Sequence, residues 1–403
     1  MTKRAVIIGG GIAGTLSAIA LQRVGIPAVV HEAYSEESDG IGLFLTVAAN
    51  GLAALEPLGL AEAVAGLGME TRQMHLVSGR TGKELAATGM AARTLSRSDL
   101  YRTLRTVAIE RGVEIQYGKR LVNASRAGSG VRAEFEDGST STGDLLIGAD
   151  GLRSRTRSLI DPAAPAARHI GLLNTGGVTS GPLPGSRLAA QPGDAHFVFG
   201  RRCFFGWLQD PDGKVWWFAN PASRPEPSRE ELAAIDPDQW RRRLTELFGQ
   251  DQGPMLDIIA ATEEIARPWN TYDFPRVPIW HRDRMIIIGD AAHTTSPSAG
   301  QGASMAMEDA VTLALCLRDV TDPDQAFAAF EVQRRSRVER VVAQGKRNGS
   351  GKAAGPIAAR IRDAVLPTVV RRFATPEALS WITDYRIDWG EGAKGVVRKQ
   401  ARG

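Results

Sequence analysis

Only two cysteines, Cys203 and Cys316, occur in 403 residues. Two cannot build a disulfide framework, and no Cys-x-x-Cys or His/Cys cluster has the spacing of a zinc site. This usage fits a reducing compartment, so a cytoplasmic location is expected, with no metal. Long apolar runs are missing too. No window of about 18–20 uninterrupted apolar residues exists, which argues against a membrane span. Lys3 and Arg4 ahead of an apolar stretch imitate the start of a signal peptide, but Gly9, Gly10 and Gly11 interrupt the stretch and Arg23 follows it. Internal repeats and low-complexity tracts are absent. So is a strong overall charge: the net is +4, although residues 331–403 hold 16 Lys and Arg against 7 Asp and Glu. That excess is spread along helical patterns and reads as a solvated helical surface, not a nucleic-acid patch.

What is present is a chain that is 43% apolar and 23% charged, large enough for two lobes or one composite α/β unit. Residues 4–8 read as a buried strand, 15–24 as a helix and 28–32 as a second strand, a βαβ unit. Helical patterns recur at 48–66 and at 97–111, the latter behind a Ser96 cap. Hairpin-like segments fill 115–147, turning at Asp137-Gly138. Residues 170–270 are rich in Phe and Trp and read as an antiparallel sheet, with Asp212-Gly213 as one of its turns. A buried strand returns at 284–288, and a long helix starts near 302. The tail from about 325 to 380 is expected to be helical, broken at Gly349-Ser350-Gly351, Pro356 and Pro367.

The first motif that carries chemistry is Gly9-x-Gly11-x-x-Gly14, with Ile12 and Ala13 in the gap, between the first strand and the first helix. Gly9 permits the tight turn, Gly11 the approach of a pyrophosphate, and Gly14 the close packing of helix on strand. The free N–H groups and dipole of the helix N-terminus favour an anion there. Glu32 ends the second strand, where a carboxylate accepts hydrogen bonds from a ribose. The spacing predicts a dinucleotide site without naming the dinucleotide.

Two further motifs narrow the choice. Residues 147–157 read Ile-Gly-Ala-Asp-Gly-Leu-Arg-Ser-Arg-Thr-Arg. Residues 288–309 run from Ile288-Gly289-Asp290 through His293, Pro297 and Gly300-Gln301-Gly302-Ala303 to Glu308-Asp309. With the glycine fingerprint, these resemble the single-component FAD-dependent aromatic hydroxylases, the flavoprotein monooxygenases of the para-hydroxybenzoate hydroxylase fold. The resemblance runs to about residue 345. It implies an α/β architecture: a Rossmann-like FAD-binding domain with a parallel sheet, an antiparallel-sheet substrate domain and C-terminal helices. The FAD-binding part would comprise residues 1–70, 96–168 and 271–345. Residues 71–95 and 169–270 would form the substrate domain, and 346–403 a helical end.

The resemblance also implies roles. Asp290 would bind the ribityl or pyrophosphate region of FAD, and the turn Gly300-Gln301-Gly302-Ala303 would offer N–H groups to the flavin pyrimidine edge. A glycine turn opening a helix suits the negative charge that reduced flavin carries there. Arg97 would reach the flavin side, Val122 would contact the adenine through its backbone, and Asp150 would serve FAD and NAD(P)H. Arg153 and Arg157 are candidates for the nicotinamide-dinucleotide phosphates. The family often carries an arginine near 40–42. Here Ser38-Asp39-Gly40-Ile41-Gly42-Leu43 has none, which leaves NADH and NADPH both open.

The implied reaction is reduction of FAD by NAD(P)H, formation of a flavin C4a-hydroperoxide with O2, and oxygen transfer to an aromatic or polycyclic small molecule. No side chain is then needed as a nucleophile, and His293 is expected to structure its turn. Pro297 is expected to shape the cavity over the flavin. Phe197, Phe199, Trp207 and Trp217 are the candidates for the pocket wall, although strand alternation sends only one face inward. A Baeyer–Villiger or epoxidising oxygenase, a flavoprotein reductase and a non-catalytic FAD-binding module stay open as alternatives. A flavin halogenase lacks support, because Trp216-Trp217-Phe218 does not match the Trp-x-Trp-x-Ile-Pro signature.

Overall fold

The computed structural model describes residues 3–35, 43–183, 191–274, 276–350, 352, 356–373 and 375–390. The Ser38–Gly42 stretch therefore lies outside the described residues. A six-stranded sheet runs in the order His281–Arg282, Met285–Ile287, Leu145–Gly148, Ala5–Ile8, Ala28–His31, Glu114–Gln116. All its pairings are parallel except that of the two strands nearest the His281 edge. Ala5–Ile8 is buried throughout, as expected of an inner parallel strand covered on both faces. Helices Ile12–Arg23 and Gly302–Asp319 pack against one another beside this sheet. The apolar run at Leu145 leaves the hairpin region and joins this sheet beside Ala5–Ile8. The hairpins proper form a separate three-stranded sheet of Leu121–Ala127, Gly130–Phe135 and Thr140–Gly143.

An eight-stranded sheet stands beside the first. Its order is Trp269–Asp273, Arg168–Val178, Val215–Pro221, Cys203–Gln209, Ala195–Phe199, Gly68–Ser78, Glu84–Ser96, Phe44–Ala48. Only Ala195–Phe199 against Gly68–Ser78 is a parallel pair. The expected Asp212-Gly213 turn joins Cys203–Gln209 to Val215–Pro221, with Gly213 at φ 85°. Residues 170–270 are not sheet alone, however. Helices Arg229–Ala233, Pro237–Phe248 and Met255–Ala260 cover one face. The second of these starts on an Asp236 cap with Pro237 in its first turn, and it buries Trp240, Leu244 and Phe248 at four-residue spacing.

The C-terminal part is helical: Pro323–Ser350, Pro356–Phe373 and Pro376–Thr383. Pro367 does not break the second of these but lies inside it. A proline costs one backbone hydrogen bond and crowds the preceding turn; packing of this helix against strand Glu84–Ser96 offsets that local cost. Among the described residues, no helix is long and apolar enough to cross a membrane.

Candidate active site

The glycine fingerprint has two kinds of glycine. Gly9 sits at φ 101°, and a Cβ there would strike the Ala149 carbonyl; a Cβ on Gly14 would strike the Gly9 carbonyl. Both are demanded by the fold. Gly11 is different. Its backbone is extended (φ −76°, ψ −168°), and a Cβ would meet only the Tyr101 ring, at 3.6 Å. Among the described residues, nothing excludes a side chain at Gly11, so the fold itself gives no reason for a glycine there. Ile12 and Ala13 begin the helix, whose first turn has no side-chain cap. Glu32 stands over this loop, its Oε2 accepting from Gly10 N at 2.6 Å and its Oε1 from Tyr34 N at 3.0 Å.

Arg97 opens helix Arg97–Glu110 behind the Ser96 cap, where Ser96 Oγ accepts from Asp99 N. Its guanidinium donates to Tyr101 Oη at 2.9 Å and lies in the field of Asp290. Arg97 and Asp290 are both solvent-accessible, and the protein around them desolvates both. Burial raises the Asp290 pKa, opposed by His293 and Arg97. Burial alone would lower that of Arg97, but Tyr101 and Asp290 outweigh it and raise it. Asp290 opens a one-turn helix behind Gly289, which adopts φ 57°. The turn Pro297–Ala299 then leads through Gly300, left-handed at φ 60°, into the uncapped helix Gly302–Asp319. Cβ atoms at Gly300 and Gly302 would meet nothing closer than 3.9 Å. The first-turn N–H groups near Gly302 and Ala303 have no side-chain cap.

Beneath these loops lies a charge network that sequence reading missed. Arg334 is fully buried and donates to Asp309 Oδ1 at 2.7 Å and Glu308 Oε2 at 2.6 Å. Arg337 donates to both oxygens of Glu308. Asn50 Nδ2 bridges Glu308 Oε1 at 2.7 Å and Gln301 Oε1 at 2.9 Å. Asp309 Oδ2 accepts from Gly289 N at 2.9 Å and meets His293 Nε2 at 2.5 Å. Burial would raise the Asp309 pKa, but His293 and Arg334 hold it down to about 2. The network ties the Gly289–Asp290 loop and Gln301 to the long C-terminal helix. His293 is one of its members, held by a carboxylate in the core. Part of the basic excess of the tail is thus not a solvated surface but internal counter-charge. The available signal was Glu308-Asp309 inside a helix that is otherwise largely apolar up to Leu317: buried carboxylates demand partners.

Other candidates are placed as follows. Val122 is exposed at the start of the three-stranded sheet, and its carbonyl accepts from Arg155 Nε at 2.9 Å. Asp150 caps its own loop, accepting from Ser154 Oγ at 2.5 Å and Thr156 N at 2.9 Å. Arg153 is exposed. Arg157, by contrast, is buried; it donates to the carbonyls of Ala291 and Leu152 and stacks on Phe274 at 4.3 Å. It braces the Asp290 helix and is not presented to a phosphate.

The aromatic candidates split by strand alternation. Trp217 and Trp207 lie on the helix-covered face: Trp217 is fully buried, stacked on Phe205 at 5.0 Å, with Nε1 donating to Thr262 at 2.9 Å, and Trp207 stacks on His196 at 4.2 Å. Their expected place in the pocket wall is corrected: they are core of the other face. Phe197 and Phe199 are on the opposite face with Phe204 and Phe218. Phe44 completes this group, 5.7 Å from the Trp216 ring and 6.2 Å from Phe218. Next to Phe44, the Leu43 carbonyl accepts from Arg97 N. Pro297 is exposed, in a turn braced by the end of the long helix, where Asn348 Nδ2 donates to the Ser298 carbonyl.

A family model described as FAD binding domain matches residues 2–345. The chain belongs to the FAD-dependent aromatic hydroxylase family. This hydroxylase is 30% identical over 357 residues to an FAD-dependent urate hydroxylase of Klebsiella pneumoniae, covering 85% of this chain and 89% of the relative. It is 27% identical to a 6-hydroxynicotinate 3-monooxygenase of Pseudomonas fluorescens, covering 84% and 89%. A single-residue variant of Klebsiella pneumoniae HpxO complexed with FAD superposes with a TM-score of 0.80 at 26% identity, covering 93% of this chain and 96% of the other. The hydroxylase fits its cofactor on its own geometry. Gly11, Gly300 and Gly302 leave open space in which a side chain would meet no backbone within 4 Å, and Arg97 and Asp290 act on one another electrostatically.

Proposed function

We propose that this hydroxylase uses NAD(P)H and O2 to place one oxygen atom on an aromatic small molecule bound between the Phe197–Phe204–Phe218 face and the Pro297–Gly302 turn. FAD, when bound, would take hydride from NAD(P)H and activate O2. The chain's own residues position and shield. The Gly11 loop would receive the pyrophosphate on helix N–H groups, Glu32 a ribose, and Asp290 and Arg97 the middle of the cofactor. The N–H groups of Gly302 and Ala303 would meet the anionic pyrimidine edge. Val122 would contact the adenine through its backbone. Asp150 would act indirectly, by shaping the loop after Leu145–Gly148.

The observation that carries this reading is the half-buried aromatic face, Phe44, Phe197, Phe199 and Phe218, on the side of the sheet that no helix of residues 229–260 covers. Apolar walls there would bind a ring and exclude water, which keeps an activated oxygen from being lost as peroxide. Oxygen uptake tests the reading. The FAD-loaded protein, given NADH or NADPH, should consume O2 faster with a panel of phenols and hydroxylated heteroaromatics and yield less peroxide with a true substrate. Reduction of FAD with all oxygen recovered as peroxide across the panel would count against it and favour a reductase.

A further inference from the structure

Lys352 occupies a place on this aromatic face that the reading above leaves without a task. Its Nζ sits 4.1 Å from the centre of the Phe204 ring and 5.5 Å from that of Phe218, and it donates to Asn220 Oδ1 at 2.7 Å. Asn220 is itself buried, its amide nitrogen spent on the Leu173 carbonyl and Asn174 Oδ1. Among the described residues, no carboxylate lies within ion-pair distance of Lys352. Four other cations of this tail meet carboxylates: Arg334 and Arg337 meet Glu308, Arg335 meets Glu331 and Glu339, and Arg362 meets Asp363. A part-buried ammonium with one neutral acceptor and two ring faces is a charge short of its counter-ion. Lys352 also lies close to the turn proposed to edge the flavin. Its backbone N–H donates to the Gly349 carbonyl, and a Cβ on Gly349 would lie 3.3 Å from Ser298 Oγ, next to Pro297.

We propose that Lys352, held by Asn220, anchors an acidic oxygen of the aromatic substrate, so that the substrate class is an aromatic acid or acidic phenol whose ring lies against Phe197, Phe204 and Phe218. The proposal rests on the oxygenase reading for the identity of the pocket. The ionisation of Lys352 agrees with it. Burial lowers its pKa to about 7, and the one titratable group acting on it from the sheet, Cys203, has a thiol pushed far up by burial and stays neutral. An incoming anion would restore the ammonium, so binding is coupled to proton uptake above neutral pH.

The test uses the FAD-loaded full chain and reads ligand binding from the perturbation of the flavin absorption band, without turnover. The probes are 4-hydroxybenzoate, 4-hydroxybenzamide and 4-nitrophenol. The wild-type protein is expected to bind one of the acids at pH 6.5 at least ten-fold more tightly than the amide. Lys352→Met is expected to lose about 30-fold or more for that acid, with little change for the amide. Lys352→Arg should restore part of the preference. Preference for the carboxylate or for the phenol separates the two sources of the acidic oxygen. Affinity for 4-hydroxybenzoate in the wild type is expected to fall as pH rises from 7 to 9, and in Lys352→Met to lose that slope. Lys352→Met removes a part-buried charge that has no carboxylate partner, so it is expected to fold and to retain FAD. Equal binding of acids and amide by the wild type, or an equal loss of both in Lys352→Met, would overturn the anchor. If acids bind through Lys352 but no aromatic promotes oxygen transfer, the anchor stands and the oxygenase reading falls.

Discussion

Placing one methyl group at Gly11 and another at Gly14 separates what the fold needs from what the cofactor needs. At Gly11 the backbone is already extended and a Cβ meets only the Tyr101 ring at 3.6 Å, an ordinary contact. Gly11→Ala therefore costs the FAD-free protein only the weaker helix cap, about 1 kcal/mol or less. The same methyl group would stand where a pyrophosphate oxygen approaches the helix N–H groups. Losing one or two hydrogen bonds to a charged group costs about 1.5–3 kcal/mol each, or roughly 10- to 150-fold in FAD affinity per bond. At Gly14 the balance reverses. Its Cβ would collide with the Gly9 carbonyl, a backbone atom that cannot swing away. Gly14→Ala should lose about 1–3 kcal/mol of stability with or without FAD. Denaturant unfolding of the FAD-free proteins and fluorescence titration with FAD measure both quantities. If Gly11→Ala bound FAD as the wild type does, or if its FAD-free form were destabilised as much as Gly14→Ala, the assignment of Gly11 to a ligand would be refuted.

Asp290→Ala is expected to shed flavin on dilution, with a loss of about 1.5–3 kcal/mol seen by ultrafiltration and absorbance; wild-type retention would reject the contact. In the buried network, Arg334→Met leaves Glu308 and Asp309 short of a partner and should cost about 3–5 kcal/mol in urea unfolding, whereas a loss below 1 kcal/mol would mean that the remaining partners suffice. Asp309 has its pKa depressed in the folded state from the ordinary 3.8 to about 2, so its contribution is complete above pH 4 and is lost as pH falls toward 2. Acid unfolding of Asp309→Asn should lack that part of the slope. His293→Ala should lower turnover by no more than about two orders of magnitude, while raising the share of reducing equivalents recovered as peroxide, because His293 is held by Asp309 at 2.5 Å and the proposed chemistry belongs to the flavin. Abolished oxygenation with FAD fully bound would show a direct chemical role.

The sequence alone was enough for features whose physics is local. The Gly9-Gly11-Gly14 turn, the Ser96 cap, the Asp212-Gly213 hairpin and the start of the helix at Gly302 each depend on a few neighbouring residues and their backbone angles. The order of three such motifs was enough to suggest the family and its cofactor. Tertiary structure decided whatever depends on partners far apart in the chain. Phe197 and Trp207 look alike in sequence, yet the pairing of their strands sends one to the half-buried Phe199–Phe218 face and the other under the helices of residues 229–260. Arg157, beside the Asp150 loop, reads as a phosphate contact until Ala291 and Phe274 arrive from more than a hundred residues away to enclose it. Arg334 and Lys352 sit in the same basic tail; only packing makes the first a buried counter-charge for Asp309 and leaves the second unpaired over Phe204. Local propensity specifies backbone shape, whereas the charge state and task of a side chain follow from the desolvation and partners that the assembled core imposes on it.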